Sequence, residues 1–390
     1  MNTVSDSGFS GFARQSGRAG VRNYLLVLSA TGLTGPTARR IGAQIDGAKV
    51  ICNPVDTGPM GDDRVATDRA LRGFIGHPNV GAVLIIGGNE PRVTALAEYA
   101  AGVVRNVAAL TLDTCNHDAL TLTDRGVRAA ATMARELSRQ RRTTQPIADL
   151  FFGLECGRSD PSSGLVSNPM LGRMADRLVD LGGSAVIGET TEWLGAEHLL
   201  AARAVNERVA QDIRDAALRR EQMAIDAGID LLGNNPGPTN IAAGLSTIEE
   251  KSLGNIAKSG SRPIQSVLAY GEAPGVAGLH VMDAPAYAPE SLTGFTVAGA
   301  QMNFFTTGVG NSFVSLLAPT IKVSANPDSV ARLGQQLDFD ASAAFSGARS
   351  HEQVADALWQ NVLEIAQGTA TWGELLMEGE EVIARFGAAL

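Results

Sequence analysis

The sequence predicts an α/β protein built from two doubly wound, mostly parallel α/β domains. Three observations predict it. Short apolar runs alternate with amphipathic stretches through the first 145 residues, and the same alternation resumes after residue 149 with longer loops. A chain of 390 residues also outgrows one ordinary hydrophobic core. Such alternation favours parallel strands with right-handed crossovers, covered by helices on both faces. Ligands then bind beyond the carboxyl ends of the strands.

In the first predicted domain, 1–145, strands are expected at 23–30 (NYLLVLSA), 48–54, 80–88 (VGAVLIIGG, the most continuous apolar run) and 107–113. Helices are expected over 34–45, 63–76, 91–104 and 119–141. The basic cluster RQRR at 139–142 reads as a solvated helix end, and TTQPIAD at 143–149 as the domain boundary. The second domain, 146–390, opens with strand 150–156 (LFFGLEC), helix 169–183 and strand 184–189. A long helix over 195–228 follows, then a glycine- and proline-rich loop at 233–244. A helix over 246–260 carries a capping signature, Ser246 followed three residues later by Glu249. Strands near 264–270, 278–283, 301–306 and 319–324 precede two amphipathic helices, 351–367 and 372–388.

Composition excludes several functions. A net charge of −9 leaves no basic footprint for nucleic acid. No apolar run approaches the ~20 residues that span a bilayer, and Met1 opens no secretory leader. Three scattered cysteines, Cys52, Cys115 and Cys156, make no disulfide framework. The expectation is a cytoplasmic protein with reduced thiols and no membrane contact. The absence of GxGxxG argues against a nucleotide-dependent dehydrogenase.

The candidate chemistry gathers at predicted strand ends. Cys156 ends a strand, with Asp160 four residues on. Glu189 ends the next, and His198 follows near the start of the long helix. Thiolate, carboxylate and imidazole could converge there on a metal, although ordinary helix-capping acids would look alike. The loop Asn235–Asn240, with Thr239, opens a helix whose first N–H groups suit an anion. Lys251 is one of only four lysines, and Ile248 and Thr247 stand where an intrahelical acid would pair with it. It suits a substrate anion, or a base. Asp283 ends one strand, and Thr306, Thr307 and Asn311 lie at and beyond the end of another. Asp62 and Asp63 read as N-terminal helix acids, His280 as a core histidine, and Cys115 with His117 as an improbable dyad.

The stretches GRAGVRNYLLVL, ECGRSD…SGLVSNPMLG, GETTEWLGAEHLLAAR, NIAAGLSTIEEKSLG, GLHVMDAP and FFTTGVGN…APTIKVSANP resemble, in order, the altronate/galactarate dehydratase family. The resemblance runs from about Gly17 to Pro327. It implies a metal-dependent lyase, usually iron-linked, that performs β-elimination on sugar acids or small 2-hydroxy acids; Mn2+ or Mg2+ are the other candidate ions. Family members tend to carry cysteines where this chain has Thr57-Gly58-Pro59-Met60, Gly87-Gly88-Asn89-Glu90 and Ser315-Leu316-Leu317. That loss resembles the sulfo-lyase branch, which eliminates sulfite and uses a separate small subunit. On this resemblance Cys156, Glu189 and His198 are the candidate metal or acid–base residues, with Lys251 and Asp283 catalytic. Asp160, Asn235, Thr239, Asn240, Thr306, Thr307 and Asn311 would bind substrate, in an oligomer. The competing expectation, motivated by the lost cysteines, is a non-catalytic relative that binds a small anion or supports a partner subunit.

Overall fold

A computed structural model describes residues 8–383 except 16 and 57. In its first part the strands are β1 (Phe9–Gly11), β2 (Tyr24–Ser29), β3 (Lys49–Cys52), β4 (Val80–Gly87) and β5 (Asn106–Thr111). The helices are α1 (Gly35–Gly42), α2 (Gly61–Ile75), α3 (Glu90–Val103) and α4 (Ala119–Leu137). Strands β2 to β5 form a four-stranded sheet in the order β3-β2-β4-β5, parallel throughout. Every residue of β4 is buried, as a central strand covered on both faces requires. Ile41 of α1 and Ala130, Met133 and Leu137 of α4 pack on Val27, Leu84 and Ile86. Leu71 and Phe74 of α2, with Leu96 and Ala100 of α3, pack on Leu26, Val83 and Ile85 across the sheet.

The remaining strands are β6 (Thr143–Gln145), β7 (Phe151–Cys156), β8 (Ser184–Ile187), β9 (Ile264–Leu268), β10 (Gly278–Met282), β11 (Met302–Thr306), β12 (Thr320–Ser324) and β13 (Phe339–Asp340). The last seven form one parallel sheet in the order β13-β12-β11-β7-β8-β10-β9. The helices are α5 (Asn168–Asp180), α6 (Glu197–Ala201), α7 (Glu207–Asp226), α8 (Pro238–Ala242), α9 (Ile248–Ile256), α10 (Ala288–Val297), α11 (Pro327–Arg332), α12 (Ser342–Phe345), α13 (His351–Ala366) and α14 (Trp372–Leu375). The expected α/β class and parallel sheets are therefore present. No helix of the described residues is long and apolar enough to cross a membrane.

Four local expectations are corrected. The helix expected over 195–228 breaks between α6 and α7, because Ala204 bridges Ile264 at the sheet edge and Asn206 caps the new helix by accepting the Val209 N–H. The cap of α9 is Thr247, which accepts the Glu250 N–H; the Ser246 hydroxyl donates to Glu250 instead. The helix expected over 372–388 is only the four residues of α14, since Gly379 bridges Val314 and Glu378 pairs with Lys322; residues 384–388 lie outside the described ones. Residues 143–145, within the expected boundary 143–149, form β6, which pairs antiparallel with β1. Arg142, expected in solvent, donates to the carbonyls of Ser10, Val21 and Ala366 and ties these segments together.

Candidate active site

The site grows from two adjacent strands. Leu154 of β7 stands beside Ile187 of β8, so Cys156 and Glu189 leave the sheet side by side, the second just past its strand end. Glu189 sits in the left-handed region, φ 59° and ψ 57°, a strained place for a side chain. The turn starts the short helix Thr190–Trp193, which puts Glu192 on the same side. Facing them is α9, continued by the 3-10 turn Ala257–Ser259. Lys251 and Lys258 stand seven residues apart along it, about two helical turns, and so share a face.

These groups form one buried network. Lys258 Nζ lies 3.0 Å from Glu189 Oε2, 3.3 Å from Cys156 Sγ and 3.5 Å from Glu155 Oε1. Cys156 Sγ lies 3.6 Å from both Glu189 Oε2 and Asn255 Oδ1. Lys251 Nζ lies 2.7 Å from Glu192 Oε1 and donates to Asn235 Oδ1. Asn235 Nδ2 donates to the same Glu192 oxygen at 3.2 Å. Glu155 Oε2, Glu192 Oε2, Ser159 Oγ and Ser252 Oγ are buried without a partner among the described residues. Such orphaned atoms cost free energy in a core and mark a place for a ligand.

The electrostatics follow from burial. Desolvation lifts the Cys156 thiol to about 12, outweighing the pull of Lys258. Desolvation, then the charge of Glu155, pushes the Glu189 carboxyl up to about 8. Glu192 is raised by burial and by Glu189, against Lys251. Burial works against the Lys251 and Lys258 charges, but the surrounding acids outweigh it and hold both above the usual lysine value. At neutral pH the cluster thus holds two ammonium groups, a neutral thiol, and a Glu189 carboxyl able to lose or keep its proton.

A cavity of about 310 Å³ adjoins this network; Cys156, Ser159, Asp160, Asn168, Lys251 and Leu253 are among its walls. Cys156 and Lys251 are therefore the groups that meet both cavity and cluster, with Glu189 and Glu192 behind them. Asp160 is a wall residue already engaged, accepting from Ser162, Ser163 and Asn326. Gly308 presses against it, and a Cβ there would lie 2.2 Å from its Cγ.

Of the residues chosen from sequence, Cys156, Glu189, Lys251 and Asn235 come together and Asp160 lines the adjoining cavity. The rest stand elsewhere or are bound in the scaffold. His198 is exposed on the short α6 and falls outside the metal-competent group; Glu192 takes its place. Asp283 is held by Arg220 and Arg219 and accepts from the Thr190 hydroxyl. Burial raises its carboxyl, but these partners outweigh it and keep Asp283 below the usual carboxylate value, so it anchors α7 instead of taking protons. Thr239 is exposed. Asn240 donates to the Ser159 carbonyl and accepts the Gly237 N–H. Thr306 is fully buried and donates to Asn168; Thr307 accepts the Gly310 N–H, and Asn311 the Phe313 N–H. Thr57, one of the positions marking the lost cysteines, lies outside the described residues. Sequence reasoning missed Glu155, Glu192, Lys258 and Asn255. The available signals were Glu189-x-x-Glu192 on one turn and the seven-residue spacing of two scarce lysines.

Among the described residues, the group of three or more His, Cys, Asp or Glu side chains fit to share an ion is Cys156, Glu189 and Glu192, whose ligand atoms lie within 4.8 Å of one another. One sulfur and two carboxylate oxygens suit a borderline divalent ion such as Fe2+ better than Mg2+. The orphaned Glu192 Oε2 gives such an ion a free oxygen, so the donors fit.

Residues 147–389 match the family model described as D-galactarate/altronate dehydratase, C-terminal. Residues 11–138 match D-galactarate dehydratase/altronate hydrolase, second domain. The chain is 32% identical to the (2R)-sulfolactate sulfo-lyase subunit beta of Chromohalobacter salexigens over 97% of both chains. It is 33% identical to the altronate dehydratase of Bacillus subtilis over 92% of this chain and 74% of that one. It is 30% identical to the altronate dehydratase of Escherichia coli over 97% of this chain and 78% of that one. By these matches, which span both sheets and the buried cluster, the chain belongs to the D-galactarate/altronate dehydratase family.

Proposed function

We propose that this chain is a lyase that performs β-elimination on a small 2-hydroxy acid, with a divalent cation, Fe2+ or Mn2+, held by Cys156, Glu189 and Glu192. The observation that carries the reading is the cluster itself: two ammonium groups, a thiol and three carboxylates behind a cavity of about 310 Å³, at the carboxyl edge of a parallel sheet. When bound, the cation supplies electrostatic stabilisation of the enediolate that forms as C2 loses its proton.

The chain's own residues do the rest. Lys251, kept charged by Glu192 and Glu189, faces the cavity and receives the substrate carboxylate. Asn235 fixes its ammonium from the other side. Glu189, whose carboxyl burial lifts to about 8, accepts the C2 proton through its ionised fraction. The C2–H electron pair enters the enediolate and then forms the C2–C3 double bond as the C3–O or C3–S bond breaks, its pair leaving as hydroxide or sulfite. Hydroxide takes up a proton to leave as water. The enol product takes a proton at C3, releases its O–H proton and becomes a 2-keto acid.

The relative named as a subunit beta supports a separate small subunit here as well. The test is to assay the purified chain, alone and co-expressed with a neighbouring small open reading frame, with Fe2+ or Mn2+, on (2R)-sulfolactate, altronate and galactarate. Sulfite released with 2-keto acid assigns carbon–sulfur cleavage, and 2-keto acid from a sugar acid assigns dehydration. Neither product from any acid, with metal and small subunit present, overturns the reading.

A further inference from the structure

We propose that Lys258, paired with Glu155, is a positioning residue of this site: it holds Cys156 Sγ and Glu189 Oε2 converged without touching the substrate. The inference rests on the lyase reading for its kinetic test and on geometry for its argument. Lys258 is fully buried and is not part of the cavity wall. Its three anionic or thiol neighbours all belong to the ends of β7 and β8. Glu155 and Cys156 are consecutive on a strand, where side chains leave on opposite faces. At the strand end one ammonium nevertheless reaches both, and Glu155 curls back so that Oε1 also accepts the Cys156 N–H. The protonated Cys156 thiol donates to Glu189 Oε2 at 3.6 Å, and once an ion displaces that proton the two anionic donors repel at this separation unless a cation stands behind them.

The backbone that carries Lys258 is correspondingly fixed. A Cβ on Gly172 of α5 would lie 2.4 Å from the Ala257 carbonyl oxygen, and one on Gly260 (φ +62°) would lie 2.4 Å from that of Gly172. The 3-10 turn therefore sits against α5 with no room for side chains between them, and Ser259 closes it by donating to Ile256. A buried ion pair of this kind contributes little net stability, since apolar replacements often match it. Its persistence here is explained by the aim it gives to the two donors.

The test compares wild type with Lys258→Met/Glu155→Gln. The double change removes one charge of each sign, so the net charge beside the donors is kept, and the glutamine still accepts the Cys156 N–H. Urea unfolding first establishes that the variant is folded. The expected result is a fall in kcat of about tenfold or more with KM within about threefold, because the substrate contacts remain. Co2+, titrated through its thiolate charge-transfer band, should bind about tenfold more weakly once the donors diverge. A folded variant with kcat within about twofold of wild type and unchanged Co2+ affinity overturns the proposal. If wild type turns over none of the acids, the lyase reading falls alone. Co2+ affinity then decides for Lys258, weaker binding in the variant supporting the proposal and equal binding overturning it.

Discussion

Replacing Lys251 separates what this side chain does for the fold from what it does for substrate. Its ammonium lies 2.7 Å from Glu192 Oε1, with the two side chains 13% and 1% exposed. Removing one partner of a buried pair costs about 3–5 kcal/mol, because the other charge is left uncompensated. In Lys251→Met, Glu192 keeps only the Asn235 amide, and its second oxygen has no partner already. Its raised pKa lets it take up a proton instead of staying charged. A loss of about 3 kcal/mol, the lower end of that range, is therefore expected. Glu192→Gln strands an ammonium that still reaches the cavity, and should cost about 1–2 kcal/mol. Lys251→Met/Glu192→Gln removes both charges and should return to within about 1 kcal/mol of wild type, a coupling of about 3–5 kcal/mol. Turnover should not return. A charge-assisted hydrogen bond to the substrate carboxylate contributes about 1.5–3 kcal/mol, so KM rises roughly ten- to a hundredfold in every variant lacking Lys251. Urea unfolding of the four proteins and steady-state kinetics on the same samples provide the two readouts. A double variant that regains wild-type KM would show Lys251 to be a structural counter-ion only, and equal stability of the single and double lysine variants would refute the pairing argument.

Other consequences are as direct. His198→Ala should leave kcat and KM within about twofold, and a hundredfold loss would return the imidazole to the site. Burial lifts Glu381 to about 7, despite hydrogen bonds from Ser315, Leu316 and Leu317, so below that value the folded state keeps a proton that the unfolded chain releases near 4.5. Stability is then lost as pH rises from about 4.5 to 7, and Glu381→Gln should flatten the profile by up to ~3 kcal/mol between pH 5 and 8; parallel profiles would refute it. Iodoacetamide at neutral pH should label half-buried Cys52 while sparing buried Cys115 and Cys156, and equal labelling of Cys52 and Cys156 in the native protein would contradict the buried, protonated thiol.

The sheet edge was legible because strands announce themselves. LFFGLEC and SAVIGE are short apolar runs ending in polar residues, and they proved to be neighbours whose ends carry Cys156 and Glu189. Lys251 was legible through scarcity and the lack of an intrahelical acid. Glu192 was not, since GETTEW has no periodicity that announces a single 3-10 turn, and that turn alone sends Glu192 inward. Lys258 in IAKSG looks like an ordinary basic helix end, and its full burial depends on the close approach of Gly260 to Gly172 of α5, which is remote in sequence. His198 misled for the opposite reason. Its distance from Glu189 along the chain is short, but the chain turns through Gly195, φ +79°, before α6, and the imidazole ends in solvent. The long helix failed where Ala204 and Val205 met Ile264, a tertiary pairing that overrides local helix preference.

The arrangement of charges also bears on why one cysteine suffices. Carboxylates gathered in a core need cations beside them to offset the lost solvation. Here a single helix and its 3-10 extension deliver both counter-ions from one face, Lys251 to Glu192 at the cavity and Lys258 to Glu155 and Glu189 behind it. Cys156 stays protonated beside them, its thiol held near 12 by burial despite the adjacent Lys258. A thiol in that state is neither a nucleophile nor a base at neutral pH. It gains a chemical role when a divalent ion displaces its proton, and proton release on metal binding is the general behaviour of such ligands. Cys156→Ser therefore distinguishes the two surviving roles. It keeps a small polar wall residue but forfeits the soft donor, so a variant that folds normally, loses the Co2+ charge-transfer band and loses turnover assigns Cys156 to the ion. A variant that keeps turnover with added Mn2+ makes it a wall of the cavity.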